Sequence, residues 1–185
     1  KANWAGNDWT TVLSNGGAFS DVRTVNAAAK ASGVSLAKIS APAFEGSGEY
    51  TLVAFPHTYQ TDGSGAALPW TQETPHPVTK LSWNSWVEMS LATAEKLGVT
   101  FGDVVTIDSP NGSVDVSVFP RGGIRDDVIA VPIGQGHTVG WYASMEFDGE
   151  PGVARGANVL DLLPTSTDET GSRVFLGTKV DVSST

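Results

Sequence analysis

Between Val104 and Phe119 apolar and polar residues alternate on both sides of a turn signal, which fits a two-stranded antiparallel ribbon with one buried face. Val105 and Ile107 alternate with Thr106 and Asp108, and Val114, Val116 and Val118 alternate with Ser113, Asp115 and Ser117. Pro110-Asn111-Gly112 lies between the two runs, and Asn-Gly predicts a hairpin because both residues tolerate positive φ. Ahead of the ribbon, Ser90 is placed to cap a short helix. Leu91, Ala94 and Leu97 recur at helical spacing, and Gly98 stands where a left-handed residue ends it. Gly102-Asp103 turns the chain into the first strand. Beyond the ribbon, 121–127 leads to Val128–Ile133, a buried strand, and Glu49–Pro56 alternates as an earlier one. Helix, hairpin and strands are thus expected round one apolar core.

A chain of 185 residues with 40% apolar content is large enough for one β-rich domain with its own core. The formal charge of −9 argues against a nucleic-acid groove or an anionic membrane surface, both of which need basic clusters. With no cysteine, this stretch holds no disulfide, no iron-sulfur cluster and no thiolate metal ligand. No run is long enough to cross a bilayer, so direct membrane insertion is not expected. Lys1-Ala-Asn-Trp4 lacks the apolar core of a signal peptide, and the missing initiator methionine reads as a cut start. Several chemistries lack their motifs: no Gly-x-x-x-x-Gly-Lys-Ser/Thr loop, no His-Glu-x-x-His pair, no Gly-x-Ser-x-Gly elbow. Asp103 and Asp126-Asp127 sit in turns, where a solvated role is the ordinary one. Asn111-Gly-Ser113 fits a glycosylation acceptor, but the hairpin already accounts for it.

At the N-terminal end, Trp4, Trp9, Val12 and Leu13 fall at near-helical intervals before Asn15-Gly-Gly17, predicting a short amphipathic helix. Val22 to Ala31 reads as either strand or helix, and Gly46-Ser-Gly48 as a turn or linker. Trp70, Trp83 and Trp86 bracket Gln72 to Thr79 and are expected to pack on a flank or a partner. His76, between two prolines, is expected in a rigid exposed turn. Gly134-Gln-Gly-His137 directly follows a buried strand. Its Gly134 and Gly136 let backbone N–H groups approach a phosphate, and His137 adds a side-chain donor. The competing reading is a glycine-rich turn with a solvated histidine.

The string from Met89 to His137, with "LPWTQETPHPVT" before it and "GANVLDLLP" and "DETGSRVFLGTKVDV" after it, resembles the C-terminal molybdopterin-dinucleotide-binding domain of molybdenum or tungsten oxidoreductases. The resemblance covers roughly residues 49–183 and implies a mainly β fold, a double-psi β-barrel with short peripheral helices. It divides the chain into a lead-in segment, 1–48, and a barrel, 49–185. The "W..VL..G" pattern is also similar to the molybdopterin-oxidoreductase-like subunit of alternative complex III, and "GANVLDLLP" to that subunit and to polysulfide and thiosulfate reductases. The implied cofactor is a molybdopterin guanine dinucleotide, held by hydrogen bonds while metal and substrate chemistry lie in other domains. No metal is then ligated by this stretch, no residue in it is catalytic, and it is inactive alone. The alternative is a cofactor-free structural module of the same fold in a respiratory electron-transfer complex.

By the same resemblance, the loop after the first strand reaches over the pterin, making His57, Gln60 and Thr61 candidate donors; His57-Thr58 alternatively caps a surface loop. Asn158 and Asp161 match a segment where an amide and a carboxylate can recognise guanine and pterin edges, while Asn158 can equally cap the turn before Val159. Asp168 and Gly171 match the closing Asp-x-x-Gly, although Gly-Ser follows where the family often has proline. Implied partners are the remaining domains of a parent subunit and iron-sulfur and membrane-anchor subunits. The implied location is periplasmic, or membrane-associated on the outer face.

Overall fold

The computed structural model describes residues 8–18, 43–145, 152–168 and 170–185. The chain separates into two compact units, Lys1–Ser40 and Ala41–Thr185. In the first, helix α1 (Trp9–Ser14) starts at Asp8, whose carboxylate accepts from the Thr11 N–H at 3.0 Å, and ends at Asn15-Gly16. Val12 is buried, whereas Trp9 and Leu13 are exposed, so the apolar stripe predicted for this helix is narrower than its spacing implies. Trp4 and Val22 to Ala31 lie outside the described residues.

The second unit is built on six strands: β1 (Tyr50–Pro56), β2 (Trp86–Met89), β3 (Val104–Ser109), β4 (Gly112–Pro120), β5 (Val128–Ile133) and β6 (Leu176–Ser184). They close into a barrel in the order β1-β5-β2-β4-β3-β6. The β1/β5 and β2/β4 pairs are parallel and the other four antiparallel, giving the mainly β, double-psi barrel expected from the resemblance. Closure removes every free sheet edge. Leu52, Val87, Met89, Val105, Ile107, Val118, Ile129, Val131 and Val180 fill the interior at 0–1% exposure. Among the described residues, three short helices flank the strands: α2 (Pro69–Glu73), α3 (Leu91–Leu97) and α4 (Trp141–Ser144). A 3-10 turn, Val159–Leu162, packs Val159 and Leu162 into the core.

The helix–hairpin stretch forms as its pattern predicts, with two corrections. Ser90 Oγ accepts from the Thr93 N–H at 3.0 Å and Gly98 is left-handed at φ 69°, but Leu91 faces solvent at 64% exposure. Thr93 takes its place inside, its hydroxyl donating to the Asp126 carbonyl at 2.8 Å. The hairpin pairs Ser109 with Gly112, so the loop is Pro110-Asn111. Neither Asn111 nor Gly112 has positive φ, and Pro110 at the first loop position, its φ held at about −65°, excludes the primed turns that need positive φ there. Gly112 serves close packing instead: a Cβ there would stand 2.9 Å from the Asp161 carbonyl oxygen.

Candidate functional site

The parallel pairing of Phe55 with Pro132 and of Pro56 with Ile133 makes the loops after β1 and β5 leave the barrel at the same end. The first loop turns at once. His57 N–H donates to the Thr61 carbonyl at 3.0 Å and Thr61 N–H donates back to the His57 carbonyl at 2.9 Å, holding Thr61 at φ 55°. His57 is buried, not a surface cap: its Nδ1 accepts from the Tyr59 and Gln60 N–H groups at 3.1 and 3.2 Å. Nδ1 therefore carries the lone pair and Nε2 the proton. Burial, and secondarily the neighbouring His76, pushes the His57 pKa down to about 4.

His76 is also buried, which corrects the exposed turn expected from its two prolines. Its Nδ1 accepts from the Thr79 N–H at 3.2 Å, and its Nε2 lies 3.0 Å from the Thr58 hydroxyl. Its ring stands 4.7 Å from that of Trp86, which is wholly buried and donates through Nε1 to Glu88. Trp83 lies under the Arg155 guanidinium at 4.2 Å, and Trp70 is 79% exposed.

Three loops meet at this end. A Cβ on Gly134 would stand 3.0 Å from Gln60 Cβ, a Cβ on Gly63 would lie 3.1 Å from His137 Nε2, and a Cβ on Gly136 would lie 2.2 Å from the Asn158 nitrogen. Between them is a cavity of about 140 Å³, lined by Asp62, Ile133, Gly134, Gln135, Gly136, His137, Asn158 and Leu160. Of the predicted residues, Gly134, Gly136, His137 and Asn158 thus line one cavity, with Gln60 against its wall. Gln60 is 1% exposed, and its Oε1 has no hydrogen-bond partner among the described residues. The Gly136 N–H already donates to the Arg155 carbonyl at 2.9 Å, and Gln135 is locked in a reciprocal amide pair with Gln72.

Asn158 caps the 3-10 turn: its Oδ1 accepts from Leu160 N–H at 3.2 Å and its Nδ2 donates to Asp161 at 2.9 Å. Asp161 is exposed and reaches the cavity only through that bond. Asp168 and Gly171 close a separate turn. The Asp168 carboxylate accepts from Thr170 and Ser172 N–H groups, and its bond from the Thr170 hydroxyl leads in holding its pKa below the ordinary carboxylate value. Thr61 spends its hydroxyl on the Gln60 carbonyl and Asp62. Asp62, not anticipated, lines the cavity. Bonds from Ser64, then Thr61, hold its pKa below normal, so it is an anion at neutral pH. Its place in Thr61-Asp-Gly-Ser reads only as a turn, which is why its sequence does not announce it.

The site is a glycine-lined concavity at one end of a closed barrel, with a carboxylate, Asp62, and a histidine, His137, in its lining. Residues 70–174 match the model of the Molydopterin dinucleotide binding domain. The chain is 38% identical over 98 residues to a menaquinone reductase, molybdopterin-binding-like subunit, of Nitratidesulfovibrio vulgaris, covering 52% of this chain and 13% of that protein. It is 35% identical over 101 residues to the arsenate respiratory reductase molybdopterin-containing subunit of Chrysiogenes arsenatis, covering 51% and 12%. The fold is shared with acetylene hydratase from Pelobacter acetylenicus at a TM-score of 0.54 and 16% identity, over 74% of this chain and 18% of that one. The chain belongs to the molybdopterin dinucleotide binding domain family. It spans about an eighth of the length of the curated relatives it matches.

Proposed function

We propose that this domain forms one wall of the site for a molybdopterin guanine dinucleotide in a larger respiratory reductase, bearing on a heterocyclic edge of the ligand and not on its phosphates. The observation that carries the reading is Gln60 Oε1, a buried acceptor without a donor, beside the Gly134 backbone. An unmet acceptor at such depth costs roughly 1–3 kcal/mol, which a ligand N–H would recover. Guanine and pterin edges present N–H and NH₂ donors; Gln60 Oε1 lies behind Gly134, a lining residue, and Asp62 is an acceptor in the lining itself. A pyrophosphate would instead meet the negative charge of Asp62 and find the Gly136 N–H already given to Arg155. His137, also in the lining, is the side chain that can donate to a ligand carbonyl.

The cavity of about 140 Å³ is well below the roughly 300–1,000 Å³ of ordinary ligand sites. The rest of the enclosure is assigned to other domains of a parent subunit. The bound cofactor would supply the redox chemistry; this chain's residues bind and orient. Both relatives are named as subunits of reductases, which supports a parent that works within a larger assembly. Iron-sulfur and membrane-anchor partners, on the outer face of a membrane, are part of this proposal on the strength of the sequence resemblance.

The rival reading, a cofactor-free module of the same fold, is favoured by the internal commitment of the Gln135 amide and the Gly136 N–H. Metal and nucleotide analysis of the purified parent polypeptide separates the two. Molybdenum or tungsten and guanine nucleotide are expected in fixed ratio to the chain, with the nucleotide largely lost in Gln60→Met, which keeps the shape and removes the acceptor. Neither metal nor nucleotide in a folded wild-type parent would establish the rival.

A further inference from the structure

A second cavity, of about 290 Å³, opens where β6 begins. It is lined by Glu45, Thr178, Ser166, Val174, Leu176 and Pro164, with Ala43 and Gly177 completing it, and it shares no residue with the cavity at Gly134–His137. Glu45 joins the sheet as a one-residue parallel bridge opposite Thr178. The Glu45 N–H donates to the Gly177 carbonyl at 2.8 Å, and the Lys179 N–H donates to the Glu45 carbonyl at 2.7 Å. Residues paired across a bridge project to the same face of the sheet, so the Glu45 and Thr178 side chains leave the backbone on one side, without bonding each other.

Thr178 shares its face of β6 with Val180 and Val182, which are buried in the barrel, and is itself 1% exposed. Thr178 Oγ1 and Glu45 Oε2 are both buried, and neither has a hydrogen-bond partner among the described residues. One buried hydroxyl without a partner is uncommon; here a hydroxyl and a carboxylate oxygen, on two residues that line one cavity, are both unmet, and each can accept a hydrogen bond. The side chains of Val174, Leu176, Pro164 and Ala43 supply apolar walls. Mouths of β-barrels are common places for small-ligand sites.

We propose that this cavity binds a primary alkyl ammonium, the charged nitrogen bonding Glu45 and Thr178 and the alkyl stem lying against Val174 and Leu176. An ammonium carries three donors and no acceptor, and the lining includes three side chains that can accept: Glu45, Thr178 and Ser166. The positive charge answers the carboxylate, and the formal charge of −9 raises the local concentration of cations around the chain. A neutral alcohol of the same shape meets the apolar wall but leaves the carboxylate uncompensated. An anion would meet the like charge of Glu45.

The test is a titration of the 185-residue chain with n-butylammonium chloride, followed by amide chemical shifts at Glu45 and Gly177–Lys179, with n-butanol and sodium chloride as parallel arms. Saturable shifts are expected from the amine alone, with an affinity of about 1 mM, the range open to a five-atom ligand. Glu45→Gln should weaken binding at least tenfold. Thr178→Val, which removes the hydroxyl without changing shape, should weaken it severalfold while leaving thermal stability unchanged or raised. Equal binding of n-butanol, unchanged affinity in Glu45→Gln, or no saturation up to about 100 mM amine would overturn the proposal. The wild-type arms decide it even where a variant does not fold.

Discussion

Gly136 stands where a methyl group has no room. A Cβ would come within 2.2 Å of the Asn158 nitrogen, and φ is 85°, a conformation that L side chains adopt at a cost. Strain and overlap together predict that Gly136→Ala destabilises the domain by about 3 kcal/mol. Urea denaturation followed by tryptophan fluorescence measures this; a loss below about 1 kcal/mol would mean that the Gly134–His137 and Gly156–Asn158 loops are not held against each other. That Gly134-Gln-Gly-His137 matters was legible in the sequence, from two glycines directly after a buried strand. That its central amide and its glutamine are turned inward was not, because the partners, Arg155 and Gln72, are remote in the chain.

His57 belongs to the same scale. Its Nδ1 accepts from two backbone N–H groups, and its pKa lies near 4 against an ordinary 6.5, so the folded domain keeps it neutral. The unfolded chain takes up a proton as pH falls below about 6.5 and the folded chain does not. Its contribution is therefore fully present above that value, declines between about 6.5 and 4, and levels off below, a total of about 3 kcal/mol. Chemical denaturation between pH 7.5 and 4 should show the decline, and the His57 ring protons should titrate near 4. A ring titrating at 6.5 in the folded protein would refute the buried, doubly bonded arrangement. Sequence gave no sign of the burial of His57 or His76, since two histidines beside proline and threonine look like solvated loop residues.

At the level of elements, the β3–β4 ribbon is the part its residues declare most openly. Ile107 is fully buried and Val104, at the start of the same strand, is 45% exposed, so the two test the pleat directly. Ile107→Ala should cost about 3–4 kcal/mol and Val104→Ala about 0.5 kcal/mol or less. Similar losses at both sites, in thermal or urea unfolding, would contradict the register. The turn joining the strands was legible, but its mechanism was not: Asn-Gly suggests positive φ, whereas proline one residue earlier shifts the loop and leaves Gly112 packed against Asp161. Strand β2 escaped because Trp86–Met89 is four residues long and buried on both faces, with no alternation to read. In α3, helical spacing picked out Leu91, Ala94 and Leu97. Thr93 displaced Leu91 from the inner face because its hydroxyl finds the Asp126 carbonyl.

Across the whole molecule, the barrel class followed from the family resemblance and not from periodicity, since parallel pairs such as β1/β5 join strands far apart in sequence. Closure brings the loops after β1, after β5 and before the 3-10 turn to one cavity, lined by Gly134, Gly136, His137 and Asn158, with Gln60 packed behind Gly134. Asp168 and Gly171, chosen by the same resemblance, instead complete a turn of their own. Asp62 enters the site only through that convergence. The measurement that bears most directly on this arrangement is the position of the dinucleotide in an experimental structure of the cofactor-loaded parent protein. A heterocyclic N–H or NH₂ is predicted at hydrogen-bond distance, about 3 Å, from Gln60 Oε1 or the Asp62 carboxylate. A ligand whose nearest atom lies more than about 6 Å from both, beyond the reach of one bridging water, would contradict it.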